Sequence, residues 1–371
     1  MKAIKPAGGP EAVSQAAAII SGGGIAAFPT ETVYGLGADA FNPTAVSGVY
    51  AAKGRPGDNP LIMHVANPEK FFELTHNPPP YSRALIEAFW PGPLTIVAEK
   101  NPSLPAWVGG HPQGTADTAG IRMPSHPLAL ALIEASGCIV AAPSANLAGT
   151  PSPTLAEHVA GDFVNGEIDF ILDGGAVPGG LESTVVDVTG PEPVILRPGA
   201  ITVEMIAEAI GLITHGPDMS MNAENSTSCT TKTTKKTEPT APPRSPGMKY
   251  RHYAPKAPMT LLIGSENGIA AYVQTQCTNA QNQRVGILLT EETEAILRQN
   301  LPASPSFQFI TLGIKTSIET IAQNLYAALR KFDAIGVDVI YAEGTAQDGL
   351  GIAIMDRMRK AAEGRIIHLP E

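Results

Sequence analysis

From about residue 214 to 247 the chain runs through HGPDMSMNAENSTSCTTKTTKKTEPTAPPRSPG, rich in Ser, Thr, Pro and Lys and nearly free of large apolar side chains. Such a stretch buries too little apolar surface to offset the entropy lost on ordering it. It belongs at the surface, as a linker or a loop. It also divides the 371 residues into two parts, each of which must supply its own core. The division predicts a first domain over 1–213, a linker over 214–256 and a second domain over 257–371.

Composition allows both cores. Hydrophobic residues make up 43% of the chain and charged residues only 16%, which excludes global disorder. A formal charge of −10 and a pI near 5.3 disfavour broad, sequence-independent nucleic-acid binding, which needs a basic surface. A local basic pocket remains allowed. Cys138, Cys229 and Cys277 are odd in number, far apart and form no CxxC, which fits a reducing compartment and a cytoplasmic location. No stretch reaches the roughly 18 apolar residues a membrane span needs, so no membrane partner is expected.

The first part alternates short apolar strands with helical segments. EAVSQAAAIISGG predicts a helix closed at Gly22 or Gly23, and GIAAFPT (24–30) a buried strand. TAVSGVYAAKGRP predicts a helix with Val46, Val49, Tyr50 and Lys53 along one side. Further strands are expected at 61–65, 94–99, 138–142, 168–173, 183–189 and 193–199. Some alternate in polarity and some are continuous, so a mixed sheet is expected. In the second part, strand patterns at 259–264, 284–290, 306–313 and 337–344 alternate with helices, the signature of a small parallel α/β sheet. The clearest helix, TSIETIAQNLYAALRKFDAIG, puts Ile318, Ile321, Leu325, Ala328 and Phe332 on one face, with Thr316 and Glu319 spaced for a capping box.

No GxxxxGK[ST], GxGxxG, HExxH or GxSxG pattern is present. FPTETVYGLG (28–37) follows a strand with small hydroxyls and glycines, which suits either a plain turn or a small polar ligand. KGRPGDNPLIMHV sets Lys53 and Arg55 two residues apart, followed by Asn59 and His64. Two cations that close repel unless an anion or solvent intervenes. An exposed basic helix end satisfies the same pattern, and a histidine inside an apolar strand suits a core. Arg122 stands in GIRMPSHP, and Ser144, Asn146, Thr150, Ser152 and Thr154 stand in APSANLAGTPSPT. Glu182, Ser183 and Thr184 open a strand, and Arg197 ends one. Strand ends carrying hydroxyls or lone cations beside Pro or Gly are where α/β proteins collect binding sites. Three arginines and a lysine converging there would suit a polyphosphate. The few nearby carboxylates, Glu31, Asp39, Asp58 and Glu182, make no nucleophile–base pair. That pattern suits positioning and charge stabilisation, as in phosphoryl or nucleotidyl transfer.

In order, FPTETVYGLGADA, KGRPGDNPLIMHV, FWPGPLTIV, GIRMPSHP, APSANLAGTPSPT, GGLESTVVD and ILRPGAI resemble the successive motifs of the YrdC-like threonylcarbamoyl-AMP synthases. SPGMKYRHYAP and GLGIAIMDRMRKAA are similar to the C-terminal domain of the two-domain members. The resemblance implies an α/β fold: a YrdC-like mixed twisted sheet with helices, plus a smaller C-terminal Rossmann-like parallel domain. It implies that L-threonine, bicarbonate and ATP give threonylcarbamoyl-AMP and pyrophosphate, and that partner proteins use the adenylate to modify tRNA. Carried onto this chain, Thr32, His64, Arg122, Ala142 and Ser183 would line the threonine and its carbamate. Arg55, Asn59, Thr118, Ser144, Ser152 and Arg197 would hold ATP, with Lys53 and Asn146 supporting the phosphates. Lys53, Arg55, Arg122, Ser144 and Asn146 form the implied catalytic set. His252 and Tyr253 would close over the nucleotide from the linker, Gly35 and Gly37 would let backbone pass close to ligand, and Mg2+ would bridge the triphosphate without protein ligands. Two other readings share the fold: a carbamoyl-adenylate-using carbamoyltransferase, whose zinc-finger segments find no CxxC pairs here, and a module with weak RNA contact.

Overall fold

In the computed structural model, which describes residues 6–212, 214, 253–280 and 282–370, the strands form two separate sheets. The first contains β1 (Ala26–Phe28), β2 (Gly35–Asp39), β3 (Ile62–His64), β4 (Leu94–Glu99), β5 (Thr118–Arg122), β6 (Val140–Ala141), β7 (Phe170–Ile171), β8 (Thr184–Asp187) and β9 (Val194–Arg197). Their order is β7-β1-β2-β6-β3-β5-β4-β8-β9, with parallel and antiparallel pairs mixed. Around it lie α1 (Pro10–Ser21), α2 (Pro43–Lys53), α3 (Lys70–Leu74), α4 (Tyr81–Phe89), α5 (Pro127–Ser136), α6 (Ala156–Asp162) and α7 (Val203–Ile210). The second sheet contains β10 (Met259–Ile263), β11 (Val285–Leu289), β12 (Phe307–Thr311), β13 (Val339–Glu343) and β14 (Ile366–His368), in the order β12-β11-β13-β10-β14. All its pairs are parallel, as strand–helix alternation requires. Its helices are α8 (Glu266–Asn279), α9 (Glu291–Asn300), α10 (Ile318–Ile335) and α11 (Gly349–Ala362).

Several local outcomes refine the sequence reading. The apolar run 24–30 yields only the three residues of β1, because Pro29 has no N–H to continue the ladder. The glycine-rich stretch after it is itself a strand: β2 pairs antiparallel with β1, Ala26 opposite Gly37. Thr30–Thr32 is therefore the connection of a hairpin. Gly37 serves packing and not ligand approach, since a Cβ there would lie 2.7 Å from Phe28 and Val140 side-chain atoms. The capping box at Thr316 and Glu319 does not form. The α10 N-cap is Ser317, whose hydroxyl lies 2.7 Å from the Thr320 hydroxyl.

The helix that matters most for the site is α2. Pro43 starts it, the Asn42 side chain accepts from Thr44 and Ala45 N–H at 3.1 Å, and Gly54 ends it at φ 60°. Ala45, Val46, Val49 and Tyr50 bury one face, which carries Lys53 inward with them. The two sheets meet through α10 and α11. Val33, Leu181 and Tyr253 join a single apolar cluster with Ile321, Leu325, Tyr326 and Met358.

Candidate active site

A cavity of about 300 Å³ opens where the β1–β2 connection, the end of α2, the ends of β5 and β9, and the segments around 144–152 and 182–183 converge. Of the residues expected at the site, Thr32, Lys53, Arg55, Asn59, His64, Arg122, Ala142, Ser144, Asn146, Ser152, Ser183, Arg197 and Tyr253 line it, and so does Gly35. Thr118 does not. It starts β5, four residues from Arg122, and about 13 Å of extended strand separates the two ends. Linker residues 215–252, His252 among them, lie outside the described residues, and Tyr253 lines the cavity.

One end of the cavity is organised by Arg122. Its guanidinium pairs with the Glu31 carboxylate, donates to the Thr32 hydroxyl at 2.9 Å and donates to Gly92 O at 3.2 Å. The Thr30 hydroxyl donates to Val33 O at 2.7 Å and lies 2.8 Å from the Thr32 oxygen. With that proton spent on Val33, the Thr32 hydroxyl must donate to Thr30 while it accepts from Arg122. Both hydroxyls thus have a fixed orientation. His64 is buried, with Nδ1 3.1 Å from Ile62 O. Burial and the neighbouring Arg122 charge push its pKa down to about 3, so it is neutral.

The other end is cationic. Lys53 is only 3% exposed, and its ammonium donates to Ser144 O at 2.5 Å and to Asn146 O. Arg55 donates to Asn59 O at 3.1 Å and Pro60 O at 2.7 Å. All four acceptors are backbone carbonyls, so these bonds cancel neither charge. Burial, with Arg55 beside it, drives the Lys53 pKa well below its ordinary value. Burial likewise lowers Arg55 to about 10 and lowers Arg197. Arg197 donates to Ser183 O at 3.1 Å and to the Ser183 hydroxyl at 3.2 Å, and that hydroxyl lies 2.8 Å from Thr95 Oγ1. The side-chain oxygens of Asn59 and Asn146 are buried with no partner among the described residues, which leaves two acceptors for a ligand. Buried cations mutually destabilised in this way favour a bound polyanion.

Glu182 is the carboxylate among the described lining residues. Burial pushes its pKa up, but Arg357, Arg197 and the Ser152 hydroxyl outweigh that and hold it at about 2. Sequence reading missed its partners. Arg357 sits in IAIMDRMRKAA on the apolar face of α11 and is completely buried. A buried arginine demands a carboxylate, which is a usable signal, but nothing local says which one.

Residues 18–199 match a family model described as "Telomere recombination", and residues 201–363 match one described as "Threonylcarbamoyl-AMP synthase, C-terminal domain". The threonylcarbamoyl-AMP synthase of Bacillus subtilis is 44% identical over 96% of this chain and 94% of its own length. That of Pyrococcus abyssi is 42% identical over 95% of this chain and 94% of its own. The crystal structure of P. abyssi Sua5 complexed with L-threonine matches with a TM-score of 0.80 at 41% identity, covering 96% of this chain and 95% of that one. Likeness of that extent spans both sheets and the cavity where they meet: this chain belongs to the threonylcarbamoyl-AMP synthase family, in its two-domain form.

Proposed function

We propose that the chain makes L-threonylcarbamoyl-AMP and pyrophosphate from L-threonine, bicarbonate and ATP, in the service of tRNA modification by partner proteins. The observation that carries this reading is the gathering of Lys53, Arg55, Arg122 and Arg197 in one cavity whose lining carboxylate, Glu182, is already paired. In the reaction the threonine amine attacks the carbon of bicarbonate, water is lost and a carbamate forms. A carbamate oxygen then attacks the α-phosphorus of ATP, the bond to the β-phosphate oxygen breaks, and pyrophosphate leaves. Lys53, Arg55 and Arg197, with Ser144, Asn146 and Ser152, take the triphosphate and offset the charge gathering on the leaving group. Arg122 and the oriented Thr32 hydroxyl, with Ser183 and Ala142, take threonine and its carbamate. Neutral His64 supplies a hydrogen-bonding wall and no charge.

Magnesium belongs to the nucleotide in this reading. Among the described residues no three His, Cys, Asp or Glu side chains gather to hold a metal. Magnesium bound through phosphate oxygens and water needs no such cage. We read 1–213 as the catalytic domain, 257–371 as the second domain and the intervening linker, with His252 and Tyr253, as the nucleotide cover. Among the described residues no helix is long and apolar enough to cross a membrane. The deciding experiment is pyrophosphate release from ATP in magnesium, with and without the co-substrates. Release that requires both L-threonine and bicarbonate is expected. Release independent of threonine overturns the reading.

A further inference from the structure

We propose that α10 and α11 of the second domain set the nucleotide wall of the cavity, with Tyr326, Arg330 and Arg357 acting as positioning residues for Ser152 and Arg197. This rests on the synthase reading above. Glu182 is the hub. Its Oε1 accepts from the Ser152 hydroxyl at 2.5 Å, and its Oε2 accepts from the Tyr326 hydroxyl and from Arg357 Nε, each at 3.0 Å. Ser152 is thereby held through a carboxylate whose other oxygen belongs to the second domain. Arg357 Nη1 also donates to Pro198 O at 2.7 Å, the carbonyl next to Arg197. From α10, Arg330 donates to Pro151 O at 2.6 Å, the carbonyl next to Ser152, while it pairs with Asp162 at 2.7 and 3.0 Å. Tyr326 and Arg330 are one helical turn apart, so a single face of α10 delivers both.

Docking alone would not need these groups. Val33 and Leu181 already bury apolar surface against the second domain. A buried arginine costs desolvation that an apolar residue of the same size avoids, and in some proteins such groups fix one geometry among several. All three donors from the second domain reach a residue that lines the cavity or the carbonyl beside one. The segment that carries Glu182 is seated just as closely: Gly180 lies flush on the α10 backbone, and Gly179 N–H donates to Glu31 O at 2.8 Å.

The test uses the full chain, with kcat and the KM values for ATP and threonine measured between pH 6 and 8. The groups facing Glu182 are Arg357 with Asp356 behind it on α11, Tyr326 on α10, Arg197 on β9, Ser152 and Tyr253. In the wild type these keep Glu182 ionised throughout that range, and the ATP KM is expected to be flat. Arg357→Met removes the main counter-charge and leaves burial, opposed by Arg197 and the Ser152 hydroxyl, to shift the Glu182 pKa upward. Its ATP KM is expected to rise about tenfold and to become pH-dependent, with the threonine KM within about threefold of wild type. Arg357→Lys restores part of the loss, and Glu182→Gln in the Arg357→Met background removes the pH dependence. Tyr326→Phe keeps the ring stacked on Tyr253, whose centroid is 5.4 Å away, and guards against misfolding. It is expected to raise the ATP KM a few fold while lowering the melting temperature by no more than a few degrees. A folded Arg357→Met with a flat profile, or a folded Tyr326→Phe with wild-type ATP KM, overturns the inference. Wild-type protein that releases no pyrophosphate overturns the synthase reading instead, and calorimetric affinity for ATP across the same variants then decides the inference.

Discussion

Gly180→Ala tests how tightly the two domains are seated. Gly180 has φ 74°, and a Cβ there would lie 2.9 Å from the Ala322 carbonyl carbon, closer still to Ala322 O and Gln323 Cα. These are backbone atoms of α10 and cannot swing aside. Carbon atoms rest at about 3.5–4 Å, so α10 must retreat by roughly 1 Å or the segment must bend. The left-handed backbone costs an alanine about 1–2 kcal/mol. Overpacking adds about 1–3 kcal/mol, for a total of about 2–5 kcal/mol. At about 2.1 cal/mol/K per residue, 371 residues unfolding together lose about 3–6 °C of Tm. The activity loss should be larger than stability alone implies. Gly179, Glu182 and Ser183 move with Gly180, and a misplacement of about 1 Å can cost on the order of 100-fold in rate. Gly211→Ala is the control, because Gly211 has φ 66° with nothing within 4 Å of its would-be Cβ. It is expected to show only the backbone cost and wild-type kcat/KM. Calorimetry and pyrophosphate release measure both variants. If Gly180→Ala matches Gly211→Ala in Tm and in kcat/KM, the seating argument is wrong.

Arg122→Ala and Arg55→Ala should each lose at least about 100-fold in kcat/KM while keeping a native circular dichroism spectrum, since each removes charge from the reacting groups; near-normal turnover in either removes that residue from the site. Lys53→Met should fold, because its methylene stem shares the buried face of α2, but should weaken ATP binding in a calorimetric titration, with unchanged affinity as the refuting result. Acid should destabilise the protein through His64. Its folded pKa of about 3 lies below the ordinary 6.5, so the unfolded chain takes up a proton that the folded one refuses. That stability is complete above about pH 6.5 and is lost as pH falls towards 3. Urea midpoints at pH 7.5, 6 and 5 should therefore fall less steeply in His64→Gln than in the wild type, and parallel profiles would count against the assignment.

Local patterns in the sequence alone pointed to the mixed first sheet and the parallel second sheet, and composition pointed to the break between them. Most of the residues expected at the cavity came instead from the family resemblance. Residues 215–247 have nothing to bury, hydrophobic period distinguishes strand from helix, and Lys53 follows from the buried face and glycine stop of its own helix. Tertiary structure alone decided three other matters. GLGAD becomes a strand because it pairs with β1 and β6, packed so that Phe28 and Val140 leave room only for glycine at position 37. Thr118 falls outside the cavity because an extended strand cannot bring both its ends to one place. Glu182 finds Arg357 across 175 residues of sequence. A buried carboxylate announces that it needs a counter-charge, but which cation answers depends on how two separately folded sheets dock, and no local pattern encodes that.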